Sequence, residues 1–167
     1  MKKTSVAIVM GSDSDYEVME EGVKVLKEFG VACDVQVMSA HRNPKVVSDF
    51  ASTARANGIQ VIIAGAGGAA HLAGVVAAHT TLPVIGVPLA ATPLAGFDAL
   101  LSTVQMPSGI PVATVAVGKF GGKNAAILAL QILALADDDL RIKLERFKAG
   151  LADQVAEKNK ALQKKLG

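Results

Sequence analysis

Apolar residues come in two rhythms along this chain. Short, near-continuous runs occur at Ser5–Met10, Val31–Met38, Ile59–Ala64, Pro83–Val87 and Pro111–Val117, each bounded by Gly, Ser or Pro. Runs of that length, apolar at odd and even positions alike, predict strands covered on both faces, as in a parallel sheet. Between them the apolar spacing lengthens to three and four. From Asp15 to Phe29, Val18, Met19, Val23, Val25 and Leu26 fall roughly on one face, and from Pro44 to Ala56 so do Val46, Val47, Phe50 and Ala54. These segments predict crossover helices. Gly30 and Gly58 follow them as helix C-terminal signals, and Pro44 suits a first helical position, where its missing N–H costs nothing.

Strand and helix patterns in alternation predict a doubly wound α/β fold: a flavodoxin-like three-layer α/β/α sandwich around a parallel sheet of about five strands. Residues 125–136 are apolar except for Gln131, which predicts a helix buried on most sides. Asp137-Asp138-Asp139 then caps a last helix, on which Leu140, Leu144, Phe147, Leu151 and Val155 form an amphipathic stripe. That stripe packs either on its own domain or across to a neighbouring subunit. Residues 1–167 are expected to form a single domain, with 137–167 as a C-terminal helical extension.

Composition sharpens this picture. The chain is 51% hydrophobic over 167 residues, with mean hydropathy +0.40, yet no apolar run reaches the roughly 18 residues that a membrane span needs. The surplus apolar surface has to be buried, and subunit interfaces are the expected place, so a homo-oligomer is predicted. A net charge of +2 and 4% aromatic residues argue against a nucleic-acid partner. Met1-Lys2-Lys3-Thr4 ahead of Val6–Met10 faintly imitates a signal peptide, but the apolar part is short and lacks a cleavage site, so a first strand is expected. The single Cys33 excludes an internal disulfide, fits a reducing cytoplasm, and reads as a structural thiol.

Candidate chemistry sits in three loops that follow the first three apolar runs. Gly11-Ser12-Asp13-Ser14-Asp15 combines backbone N–H groups, Gly flexibility and two hydroxyls, a phosphate or ribose cradle; plain N-capping by Ser14 or Asp15 explains the same residue types. Ser39-Ala40-His41-Arg42-Asn43-Pro44 places an imidazole that can take and give a proton beside a guanidinium fork for phosphate or carboxylate. The alternative is a solvated histidine and a surface arginine at a strand end. Gly65-Ala66-Gly67-Gly68-Ala69-Ala70-His71-Leu72-Ala73-Gly74 formally matches a dinucleotide fingerprint, but no Asp or Glu occurs from Phe50 to Phe97 to hold an adenosine ribose. A glycine-rich bend that lets backbone approach a smaller ligand is the better reading.

In a flavodoxin-like strand order the three loops share one sheet edge. Together they offer amides and hydroxyls, Arg42 for a phosphate, Asp15 or Asp13 for a ribose, and the imidazoles of His41 and His71. That set describes a nucleotide-monophosphate site without metal or redox chemistry: three histidines, one cysteine and no clustered acids predict no metal and no cofactor. His79, at a helix end, reads as structural.

Four ordered motifs resemble the PurE family of purine biosynthesis: Gly11-Ser12-x-Ser14-Asp15, Ser39-Ala40-His41-Arg42-x-Pro44, Gly67-Gly68-Ala69-Ala70-His71-Leu72, and Gln105-Met106-Pro107-x-Gly109-Ile110-Pro111-Val112-Ala113-Thr114. The resemblance covers nearly the whole chain and is strongest to the class I, bacterial type. It implies a cytoplasmic, cofactor-independent isomerase, a mutase that moves a carboxylate of 5-(carboxyamino)imidazole ribonucleotide from nitrogen to carbon, giving 4-carboxy-5-aminoimidazole ribonucleotide. It also implies a homo-octamer, functionally coupled to an upstream ATP-dependent synthetase.

By motif position, the resemblance makes His41 the general acid/base. Ser12, Ser39 and Arg42 would hold phosphate and Asp15 the ribose hydroxyls, with Ser14 and Ala40 in the same substrate-binding loops. The backbone of Gly67, Gly68, Ala69 and Ala70 would face the imidazole and the migrating carboxylate, with His71 and Leu72 nearby. Three positions depart from the family pattern: Tyr16 where Trp is usual, Asn43 where Thr is common, and Ala73 where Pro is common. Pro93, Leu94, Gly96 and Phe97 resemble the family's next loop and are assigned to packing or subunit contact. Two rivals remain: direct carboxylation of aminoimidazole ribonucleotide by carbon dioxide, as in class II members, and a non-catalytic nucleotide-binding or receiver-like module on the same fold. The third apolar run ends in Gly65-Ala66-Gly67 rather than a phosphorylatable Asp, which disfavours a receiver.

Overall fold

A computed structural model describes residues 4–167; Met1-Lys2-Lys3 of the signal-like segment lie outside the described residues, and Val6–Met10 is a strand. The elements run β1 (Val6–Met10), α1 (Tyr16–Phe29), β2 (Cys33–Val37), α2 (Pro44–Thr53), β3 (Val61–Gly67), α3 (Leu72–Ala78), β4 (Val84–Leu89), α4 (Phe97–Val104), β5 (Ala113–Thr114), α5 (Lys119–Leu133) and α6 (Asp138–Leu166). A 3-10 turn at Asp13–Asp15 precedes α1. The sheet order is β2-β1-β3-β4-β5, parallel throughout. That is the flavodoxin-like order the alternation predicts.

Period-two side-chain alternation divides the sheet into two packed faces. Ala7, Val9, Ile62, Ala64 and Val84 pack with Val47 and Ala51 of α2 and with Leu72, Ala73 and Val76 of α3. On the other face Met19 of α1 lies against Gly65, where a Cβ would strike its sulfur. Fully burying one such aliphatic side chain contributes roughly 1.5–3 kcal/mol. Gly30 terminates α1 at φ +76, a left-handed position that glycine takes without steric cost.

Three sequence expectations need correction. The second apolar run was expected to be covered on both faces, but β2 is an edge strand whose Val35, Gln36 and Val37 are exposed, Val37 by 54%. Asp34 and Gln36 alternate with its apolar residues, which suits an edge better than a centre. The fifth strand is only Ala113–Thr114, because Pro111 brings no N–H to a ladder; the N–H groups of Val115 and Gly118 still reach the carbonyls of Gly86 and Pro88. The helix expected over 125–136 runs from Lys119 to Leu133, buries Ala125, Ala126, Ala129 and Leu130, and leaves Ile127 and Leu128 half-buried.

Glycines let α1 and α5 touch backbone to backbone. A Cβ on Gly22 would sit 2.8 Å from the Gly122 carbonyl oxygen, and one on Gly122 would sit 2.6 Å from that of Val18. The chain divides into a unit ending at Ala129 and a second, Leu130–Gly167. In the second, Asp137 caps α6 by accepting the Leu140 N–H at 2.9 Å, and the stripe runs from buried Leu140 through half-buried Leu144 and Phe147 to exposed Leu151 and Val155. No helix among the described residues is long and apolar enough to cross a membrane.

Candidate active site

The parallel sheet sends the loops after β1, β2 and β3 to one edge, where they enclose a cavity of about 420 Å³. That volume lies within the range of small-molecule sites. Each loop is built by short-range hydrogen bonds that the sequence motifs encode.

In the first loop the Asp15 Oδ2 accepts the Ser12 N–H at 2.9 Å. Asp15 thus serves at the third position of a capping box whose N-cap is Ser12, not as the side-chain N-cap of α1 that the sequence left open to it, and it also lines the cavity. Burial pushes its carboxyl above the ordinary aspartate range, against the pull of the Ser12 and Gly11 amides. Ser14 Oγ donates to Ser12 Oγ at 3.0 Å, so the two hydroxyls stand side by side. Asp13, the other candidate for a ribose, is exposed and binds the Ser12 hydroxyl and the Ser14 N–H instead; it is outside the cavity lining.

The second loop is a closed turn. Ser39 N–H donates to Asn43 Oδ1 at 2.7 Å and Asn43 N–H returns to the Ser39 carbonyl at 3.1 Å. Asn43 thus supplies the oxygen that a threonine hydroxyl could bring to the same place. Ser39 Oγ accepts the N–H groups of His41 at 3.3 Å and Arg42 at 3.2 Å, which puts both functional side chains at the tip. Arg42 Nη2 then crosses to the Gly11 carbonyl at 2.8 Å and ties the second loop to the first.

The third loop turns sharply. Ala70 N–H reaches the Gly68 carbonyl at 2.8 Å and His71 N–H that of Ala69 at 2.7 Å, with Gly68 at φ +63. The turn aims His71 back at the second loop, so that its Nδ1 lies 2.7 Å from His41 Nε2, ring planes nearly perpendicular. Two facing donors could not make this contact, so one ring nitrogen donates and the other accepts, according to the tautomers of the two rings.

Of the residues expected from sequence, Ser12, Ser14, Asp15, Ser39, Ala40, His41, Arg42, Gly67, Ala69, His71 and Leu72 line the cavity; Gly68 and Ala70 do not, Ala70 being buried. Gly11, Ala66 and Ala91 also line it. Ala91 follows β4, so a fourth loop, read from sequence as packing or subunit contact, reaches the site. An alanine carries no chemical signal; only the shared edge of β3 and β4 could have pointed to it. No group of three His, Cys, Asp or Glu residues that could hold a metal occurs among the described residues. His79 ends α3, its N–H on the Val76 carbonyl at 3.0 Å. Half-buried Cys33 has its thiol pushed up by burial, unlike an activated nucleophile.

Known proteins resemble the chain along most of its length. A relative from Pyrococcus horikoshii named N5-carboxyaminoimidazole ribonucleotide mutase is 52% identical, with 97% of this chain and 90% of the relative covered. One of the same name from Bacillus subtilis is 52% identical, covering 94% and 97%. The crystal structure of Treponema denticola PurE superposes with a TM-score of 0.85 at 30% identity, covering 94% of this chain and 97% of that one. The sequence pattern of AIR carboxylase matches residues 5–154. With its motifs, its strand order and these likenesses in agreement, the chain belongs to the AIR carboxylase family, the PurE family that its loops resemble.

Proposed function

We propose that this chain is a mutase of purine biosynthesis, converting 5-(carboxyamino)imidazole ribonucleotide to 4-carboxy-5-aminoimidazole ribonucleotide in the cavity formed by the β1, β2 and β3 loops. The observation that carries the reading is the convergence of His41, Arg42 and Asp15 on one cavity. Arg42, with the Ser12 and Ser39 hydroxyls, supplies donors for the phosphate. Asp15 accepts from the ribose hydroxyls, and the Gly67 to Ala70 segment borders the place of the base.

The chemistry needs no electron sink, because an aminoimidazole is itself electron-rich. The bond from the exocyclic nitrogen to the carboxylate carbon breaks as that nitrogen takes a proton from His41 acting as general acid, and the released carbon dioxide stays against the ring. The ring carbon attacks it, forming the new carbon–carbon bond, and His41 removes the ring proton, so that no net proton is gained or lost. General acid–base help of this kind is worth about 10² to 10⁴-fold, and confinement of the carbon dioxide adds a proximity effect.

Three wider readings go with this. Residues 1–167 act as one PurE-like domain with 137–167 as its extension. A homo-oligomer, an octamer in the PurE pattern, would cover exposed apolar residues such as Leu94 and Phe97, 63% and 64% exposed. In a cytoplasmic setting, functional coupling to an ATP-dependent synthetase that carboxylates the exocyclic amine would supply the substrate.

Direct carboxylation of aminoimidazole ribonucleotide is the rival reading within the family, against which stand the mutase names of the relatives at 52% identity. Ultraviolet absorbance separates the two. Without ATP, metal or bicarbonate, fast conversion of the carboxyamino substrate supports the mutase; turnover only of aminoimidazole ribonucleotide plus bicarbonate would move the protein to the direct carboxylases.

A further inference from the structure

The loop from β4 to α4 has no role in the reaction as described so far, yet it holds a strained backbone beside the cavity. Ala95 at φ +52 is the one non-glycine residue with positive φ among the described residues, and Gly96 follows at φ +86. A left-handed alanine persists only where its surroundings over-determine it.

Those surroundings centre on Thr92. Its Oγ1 donates to Asp98 Oδ2 at 2.6 Å and accepts the Leu94 N–H at 3.1 Å, while its carbonyl accepts the Ala95 N–H at 3.1 Å. The other Asp98 oxygen is buried with no partner of ordinary hydrogen-bond geometry, and the Thr92 hydroxyl, helped by the Ala99 and Asp98 amides in the first turn of α4, holds the carboxyl below the usual aspartate value. A hydrogen bond to a carboxylate is among the stronger kinds, and here it closes the loop on itself.

The loop so closed bears directly on the glycine-rich turn. A Cβ on Gly67 would lie 2.5 Å from Ala91 Cβ and 3.2 Å from the Leu89 carbonyl oxygen, and one on Gly68 would lie 3.6 Å from Thr92 Cγ2. The Gly67 backbone therefore lies against Ala91, with Thr92 Cγ2 near Gly68, and Gly67 and Ala91 both line the cavity.

We propose that Thr92 and Asp98 are positioning residues for the reaction: their hydrogen bond pins the β4–α4 loop, and the pinned loop fixes the backbone of Gly67, which lines the cavity. This rests on the site proposed above. Neither residue touches the substrate. Their effect is on where that backbone stands, and small displacements of positioning groups are expensive in rate.

The test is steady-state turnover of 5-(carboxyamino)imidazole ribonucleotide by the full chain carrying Thr92→Val, which keeps the shape and loses the hydroxyl, beside Thr92→Ser, which keeps the hydroxyl. Thr92→Val is expected to lower kcat by about 5- to 100-fold with its melting temperature close to wild type, and Thr92→Ser to restore most of the rate. Wild-type kcat in Thr92→Val, or equal loss in both variants, overturns the proposal. If the valine variant melts early, Asp98→Leu, close in volume but without an acceptor for the Thr92 hydroxyl, serves in its place, and full activity there overturns the proposal equally. A wild-type chain that fails to turn over the substrate overturns the site reading itself, and the positioning role with it.

Discussion

His41 Nε2 and His71 Nδ1 face each other at 2.7 Å across the gap between the second and third loops. One ring donates in this contact and the other accepts. The proposed mechanism asks one base to take a proton off a ring carbon and gives that role to His41, at the tip of the Ser39–Asn43 turn beside Arg42. His71 then contributes a single hydrogen bond that orients its neighbour. Since a net hydrogen bond is worth about 0.5–1.5 kcal/mol, His71→Asn is expected to keep turnover within about tenfold of wild type. A loss as complete as that of a His41 variant would make the pair a single catalytic unit instead.

Arg42 is the cation that ties the first two loops, through Gly11. Arg42→Ala should weaken a phosphorylated ligand by about 10- to 100-fold, the worth of a charged hydrogen bond, and leave the matching nucleoside nearly unaffected. Calorimetric titration with both ligands checks this, and equal losses contradict the phosphate assignment.

Asp15 joins site and stability. Burial raises its carboxyl, so the ionised form is worse placed in the fold than in the unfolded chain. That penalty stands at neutral pH and is relieved as the pH falls through the raised folded value. Asp15→Asn keeps an oxygen for the Ser12 N–H and removes the charge. It should raise the melting temperature at neutral pH, with the gain shrinking toward acid pH, while weakening nucleotide binding. An unchanged or lower melting temperature at neutral pH contradicts this account of Asp15.

Gly22 tests the packing of α1 on α5. A methyl there meets the Gly122 carbonyl oxygen at 2.8 Å, and backbone cannot swing aside as a side chain does. Despite better helix propensity, Gly22→Ala is expected to destabilise by about 1–3 kcal/mol, seen as a melting temperature lower by several degrees. Wild-type stability would show that the helices separate at little cost.

The alternation of strands and helices and three of the four site loops were legible because each rests on residue chemistry: apolar runs for strands, Gly30 for a helix end, and Ser39, His41 and Arg42 at a strand terminus. What stayed hidden depends on neighbours distant in sequence. Val35 and Val37 read as core but belong to an edge, because only strand order decides which strand is covered. Gly22 and Gly122 look like helix weaknesses until the two helices meet. Ala91, Thr92 and Asp98 carry no catalytic signature in the sequence; Ala91 packs against the Gly67 backbone, and Thr92 is tied to Asp98, contacts that appear only once the chain is folded.

The most direct test of the central claim is His41→Asn, assayed for conversion of 5-(carboxyamino)imidazole ribonucleotide and, in parallel, for nucleotide binding. With its imidazole at the cavity rim and its backbone held by Ser39, the variant should bind the nucleotide nearly as wild type does and show no measurable turnover. Near-normal turnover by His41→Asn would contradict the assignment of His41 as the general acid/base.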